Sequence, residues 1–355
     1  MRTSDKVLSF LLAALLSIVA TAAHASVVLP PGERPVIVKA GFMLYDVNEI
    51  EESTETFEFE GALLLSWHDP RQAFDPETVG VAERVYKGSF QLQEVFKGWR
   101  PQAFLANESG SYERQGVVLR IEPDGTVWYL EEIDAVAESP MDLRFFPFDT
   151  QTLQIHFKFL GYDAGEVRFE PVEDFSRLLP QQGNPVGNAG WHIGDHVVSA
   201  GEDLSAIAGA ELVGPGSTLL IDVSAERRSG YLVRVVVLPL MLIVALSWVV
   251  FWMDRESLSN RINISFIALL TVVAFQIMVE QALPAIPDLT LMAGFLAINY
   301  ALLAATIIIN LRVDQLDRAG RQAEGDALDL RCRWLFPLLY FVVSPLFLFA
   351  VMAAL

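Results

Sequence analysis

The chain has 355 residues, 52% of them hydrophobic, a single cysteine and a formal net charge of −19, with a mean hydropathy of +0.37. That content is too apolar for an ordinary soluble protein, and the length leaves room for two domains, one of them in a membrane. Cys332 alone excludes an intrachain disulfide and a cysteine-built metal site, and the acidity argues against nucleic acid as a partner.

At the N-terminus, Arg2 and Lys6 precede an apolar run from Val7 to Ala20 and then Ala23-His24-Ala25. This is the pattern of a secretory signal peptide over residues 1–25, and the run is too short for a membrane span. Residues 26–228 are therefore expected outside the cytoplasm. They carry 34 Asp and Glu against 15 Lys and Arg, an excess that equals the charge of the whole chain. Such a field concentrates cations and also aids solubility.

From Val36 to Val223 short alternating runs follow one another, such as Phe57-Glu58-Phe59-Glu60 and Leu153-Gln154-Ile155-His156-Phe157. Pro123-Asp124-Gly125 between Val118-Leu119-Arg120-Ile121 and Val127-Trp128-Tyr129 signals a hairpin. The pattern predicts an all-β, immunoglobulin-like sandwich of about ten strands.

Residues 229–355 change character, and four helices are expected there, at about 231–253, 257–281, 289–312 and 333–355, long enough to cross a bilayer. Arg255 and Arg261 flank the first connector and Arg312, Arg318, Arg321, Arg331 and Arg333 crowd the third, whereas the second has no Lys or Arg. The sandwich and the C-terminus then share the outer side. In the second segment, Asn263, Ile267, Leu270, Ala274, Ile277 and Gln281 recur at spacings of four and three, which aligns them on one helical face. Spacing by itself fits a buried core helix equally well.

Several motifs carry a resemblance. Phe146-Pro147-Phe148-Asp149 lies inside a loop from Ser139 to Leu153, Trp67-His68-Asp69 is followed by Phe74 and Pro76, Trp99-Arg100-Pro101 by Asn107, and Leu238-Pro239 falls in the first apolar helix. In this order they resemble the bacterial pentameric ligand-gated ion channels of the Cys-loop receptor superfamily, with Ser139 and Leu153 where the signature loop has its two cysteines. The resemblance implies a homopentamer: each chain has four identical partners, membrane lipids around it and permeant monovalent cations. It places the protein in a bacterial inner membrane with the N-terminal domain and C-terminus on the periplasmic side.

The same resemblance assigns roles to residues. Asn263, Ile267, Leu270, Ala274, Ile277 and Glu280 would line the pore, with Leu270, Ala274 and Ile277 as apolar gating rings that close by dewetting. Asn260 and Ser259 stand where cation-conducting members carry an acidic residue, so charge selectivity stays open between Glu280, Glu256 and the outer field. Arg261 matches a basic residue that the family turns away from the lumen. Glu52, Asp149, Arg227, Pro147, Pro284 and Pro287 match the junction that couples the two domains.

At the family's ligand site the aromatic box is missing: its positions are Ala62, Ala106 and Leu160, and Lys158 nearby repels amines. Leu160, Tyr162 and Lys158 remain as pocket residues for another ligand. A pH stimulus is favoured, with Glu55, Glu51 and His156 as titrating candidates, since crowded carboxylates repel one another and histidine titrates near neutrality. His192 and His196, four residues apart on one strand, would share a face and are the candidates for a divalent modulator; no cofactor is expected. Nothing in the chain resembles a phosphate loop, a nucleophile elbow or a zinc-binding helix, so an enzyme is not expected. A secondary transporter fits poorly because the apolar segments lack ionisable residues at mid-membrane, and a non-conducting sensor of the same fold is the alternative.

Overall fold

The computed structural model describes residues 28–172, 186–187, 189–203, 215–253, 258–280, 290–343 and 345–346. Residues 1–25, the connector holding Pro284 and Pro287, most of the tip between β10 and β11, and the last residues fall outside the described residues.

The N-terminal half forms strands β1 (Val36–Glu51), β2 (Thr56–His68), β3 (Arg84–Lys87), β4 (Ala103–Leu105), β5 (Glu108–Ile121) and β6 (Thr126–Glu138). These are followed by β7 (Thr150–Phe159), β8 (Val167–Pro171), β9 (Val186–Gly187), β10 (Trp191–Asp203) and β11 (Gly216–Arg227). One sheet runs β3-β5-β6-β2-β1-β8, with β9 on β1, and the other runs β10-β11-β7-β4. Alternation explains how the sheets close on each other. On β2, Phe57, Phe59, Leu63, Leu65 and Trp67 point into the core while Glu58 and Glu60 face out. Leu153, Ile155, Phe157, Leu219, Ile221 and Val223 answer from the second sheet, so a shared apolar layer joins the two.

The motif residues act as fasteners of this sandwich. Gly125 in the β5–β6 turn has φ +90°, and a Cβ there would lie 2.6 Å from the Asp69 carbonyl oxygen, so only glycine lets the hairpin dock. Asp69 is buried and grips Arg71 through both oxygens, each at 2.8 Å. Trp67 and Trp99 meet edge to face at 5.8 Å. Asn107 donates to the carbonyls of Glu138 and Gln154, each at 2.7 Å, and accepts from the His156 amide at 3.0 Å, which ties the β4–β5 turn to β6 and β7. The Ser139 hydroxyl accepts from Gln154 N at 3.1 Å and lies 3.3 Å from the Thr152 carbonyl it donates to. Hydrogen bonds thus close the neck of the signature loop.

The C-terminal half is helical: α1 (Gly230–Trp252), α2 (Leu258–Glu280), α3 (Leu291–Arg318) and α4 (Gln322–Leu338). Among the described residues, α1, the Asn260–Met278 part of α2, and α3 are long and apolar enough to cross a membrane. Pro239 cannot donate to the α1 ladder, and the turn just before it, Val233–Val237, widens to π geometry. Two helix limits differ from expectation. α3 runs on to Arg318 rather than stopping near 312, and α4 begins at Gln322 rather than near 333. Apolarity marks where a helix meets lipid, not where its hydrogen bonds end. Val313 is still buried, Arg318 and Asp314 pair at 2.9 Å one turn apart, and only Gly320, at φ +74°, ends the run.

Candidate functional site

Where β11 gives way to α1, Arg227 gathers three elements. Its Nε donates to Asp149 Oδ1 at 2.8 Å, its second nitrogen to Asp149 Oδ2 at 3.2 Å, and its third to Glu52 Oε1 at 2.5 Å. Asp149 ends the signature loop at the start of β7, and Glu52 lies in the β1–β2 turn. The guanidinium lies 4.0 Å from the centre of the Trp191 ring and 4.8 Å from that of Phe146. Gln151 Nε2 completes the shell of Asp149 at 2.7 Å. Arginine suits this place because its fork can bond one carboxylate twice, keep a donor for a second, and stack on rings.

The loop that carries Asp149 reaches into the helices. Phe146 is buried against Val236 of α1 and Met292 of α3, Pro147 is buried behind it, and the Arg144 carbonyl accepts from Leu291 N at 2.8 Å. One short segment is therefore bonded to the Arg227 cluster at one end and, at the other, bonded to the start of α3 and packed against α1. Glu52, Asp149, Arg227 and Pro147 come together here.

α2 divides its faces sharply. Arg261, Ser265, Ala268 and Val272 are buried at spacings of four, three and four. On the opposite side Asn263, Ile267, Leu270, Ala274 and Ile277 are exposed in the single chain, Leu270 by 66%. The face singled out by spacing therefore lies on the exposed side of α2 among the described residues. Glu280 ends the helix, and its side chain lies outside the described residues.

The sensing candidates scatter. Glu55 holds positive φ, +53°, in the β1–β2 turn, where its carbonyl accepts from Ser139 N at 2.8 Å. Glu51 accepts from the Ser53 hydroxyl at 2.9 Å. His156 is half-buried on β7, paired with Leu220. Carboxyl groups pushed above their usual range lie elsewhere, on the outward face of the larger sheet. Register places Asp46, Glu60, Asp134 and Glu113 directly opposite one another across β1, β2, β6 and β5, with Glu49 facing Glu58 one step along. Desolvation first, then Asp134, Glu49 and Glu60, raises Glu58; desolvation, then Glu60 and Glu113, raises Asp134. Sequence reading missed this row because cross-strand neighbours depend on register, which bulges in β1 and β5 shift.

Leu160 and Tyr162 line a cavity of about 350 Å³ with Val28, Trp99, Arg100 and Gln102, and Trp99 Nε1 donates to Tyr162 Oη at 3.0 Å. Lys158 is not on that wall; it is buried on β7 opposite Thr218. An adjoining cavity of about 240 Å³ ends on Glu131. This fully buried carboxylate takes Tyr129 Oη at 2.6 Å, Tyr112 Oη at 3.1 Å and the Arg114 guanidinium. Burial and then the Glu131 charge raise the pKa of both phenols.

The histidine pair needs correction. A bulge between Ile193 and His196 offsets the β10 register, so His192 pairs with exposed Glu226 while His196 pairs with core residue Val223. His196 turns inward and its Nε2 lies 3.1 Å from the Phe42 carbonyl oxygen. The two rings lie on opposite faces and cannot share an ion, and no cluster of metal-ligating side chains occurs among the described residues.

Comparison with known proteins places these features. The family model for the neurotransmitter-gated ion-channel ligand binding domain matches residues 14–194, and that for the neurotransmitter-gated ion-channel transmembrane region matches residues 236–324. A proton-gated ion channel of Gloeobacter violaceus is 27% identical over 332 residues, which span 90% of this chain and 84% of that protein. A gamma-aminobutyric acid receptor subunit beta of Caenorhabditis elegans is 29% identical over 248 residues, 67% of this chain and 42% of the receptor subunit.

Proposed function

Since the chain belongs to the neurotransmitter-gated ion-channel family, we propose that five identical copies surround a central pore and pass monovalent cations across the bacterial inner membrane. The observation that carries this reading is the split face of α2. A row of Asn263, Ile267, Leu270, Ala274 and Ile277, exposed in one subunit, gains its partners when five copies close a ring. Leu270, Ala274 and Ile277 then form apolar levels that exclude water when narrow and admit it when the helices tilt apart. The excess of carboxylates in the outer domain supports cation conduction.

The stimulus is a pH change sensed outside the membrane. Three observations support it: the aromatic box positions are filled by Ala62, Ala106 and Leu160, carboxylates crowd the outer sheet, and the Gloeobacter relative is a proton-gated channel. Arg227, held by Glu52 and Asp149, passes the change through Phe146 and Pro147 to α1 and α3. Planar-bilayer recording of the purified protein during pH jumps tests the reading. Cation currents that follow the jump support it; a stable pentamer that stays silent at every pH identifies a non-conducting sensor.

A further inference from the structure

The inner end of α2 holds a charge that the conduction pathway does not use. Arg261 is fully buried, two residues from Asn263 on the exposed face. Its Nε donates to the Val250 carbonyl at the end of α1 at 2.8 Å. Its two terminal nitrogens donate to the two oxygens of Asp329 on α4, at 2.9 and 3.1 Å. Asp329 is itself buried, and α4 lends a second arginine to the same joint, with Arg333 Nε at 2.8 Å from the Phe251 carbonyl. The guanidinium fork is thus fully engaged on the side away from the exposed face.

We propose that Asp329 is a specificity-determining residue: by neutralising Arg261 and holding it behind α2, it keeps five positive charges from the inner mouth and so sets the preference for cations. The inference rests on the channel reading. Among the described residues at the start of the helix, Asn260 and Asn263 are exposed and uncharged, so a guanidinium freed beside them would add positive charge to an otherwise neutral stretch of that face. An arginine cannot shed its proton, and a buried cation without its counter-charge is strongly destabilised. Without Asp329 the side chain therefore either turns to water at the mouth or stays as an uncompensated charge beside it. Both outcomes repel cations, and fivefold symmetry repeats the charge around the ring.

The test compares reversal potentials under a KCl gradient for purified wild type, Asp329→Asn, Asp329→Glu and the double variant Arg261→Gln with Asp329→Asn, after pentamer assembly is checked by size. The cation-to-anion permeability ratio should fall several-fold in Asp329→Asn, stay near wild type in Asp329→Glu and recover in the double variant. An Asp329→Asn channel with the wild-type reversal potential overturns the inference while leaving the channel reading intact. A wild type that never conducts overturns both. Should Asp329→Asn fail to assemble, Asp329→Ser carries the test: it also removes the counter-charge of Arg261 and must lower the permeability ratio, and a wild-type ratio in the assembled variant overturns the inference.

Discussion

Replacing Asp149 by alanine measures how much the Arg227 cluster holds. The Asp149 side chain is 1% exposed, and it accepts two bonds from Arg227 and one from Gln151. Its loss leaves the guanidinium wedged between Trp191 and Phe146 with Glu52 as its remaining carboxylate. Breaking such a buried pair costs about 3–5 kcal/mol. Glu52→Ala removes one charge-assisted bond from a more exposed group, 13% against 1%, and should cost about 1.5–3 kcal/mol. The Trp191 ring lies 4.0 Å from the guanidinium and is one of seven tryptophans, so the difference in tryptophan fluorescence between each variant and the same variant carrying Trp191→Phe, followed during denaturant unfolding of the pentamer, reads the site. Asp149→Ala should lower the midpoint more than Glu52→Ala, and both should blunt the response to pH. Equal losses, or a larger one from Glu52→Ala, would refute the weighting of the two carboxylates.

Leu270→Ser shrinks an apolar ring, so opening should need a weaker stimulus; an unchanged activation curve in an assembled channel removes Leu270 from the gate. Glu58 titrates above its ordinary 4.5 in the folded protein, so the folded state binds this proton more tightly than the unfolded chain. Stability should therefore be highest below pH 4.5 for this group and decline as pH rises through the raised value; Glu58→Gln should flatten that part of the melting-temperature profile, and a profile of the same slope would contradict it. Asn107→Ala cuts three bonds from the β4–β5 turn to β6 and β7 and should cost about 1–3 kcal/mol by the same denaturant assay, in which a neutral result would show that water replaces the amide.

The sandwich was readable because alternation is a direct imprint of a sheet with one face in a core: Phe57, Phe59, Leu153 and Ile155 are apolar for the reason that they meet. On α2 the spacing of four and three grouped Asn263, Ile267, Leu270, Ala274 and Ile277 on one side, but periodicity is the same for a buried and an exposed face, so it could not say that this side lies open in the single chain. Three features were hidden. The turn of His196 toward Phe42 depends on one bulged residue in β10, which spacing along a strand cannot disclose. The carboxylate row from Asp46 to Glu113 needs the register of four strands. Arg261 and Asp329 are 68 residues apart, and Asp329 fell in a stretch read as a connector because charge there masked a continuing helix.

The central claim is that Leu270 faces a water-filled lumen and Val272 does not. Cys332 is the only cysteine and is buried, so an introduced thiol stands nearly alone against a membrane-impermeant thiol reagent. Reagent applied to open channels should block current rapidly through Leu270→Cys and leave Val272→Cys unaffected; block through Val272→Cys with Leu270→Cys inert would contradict the account.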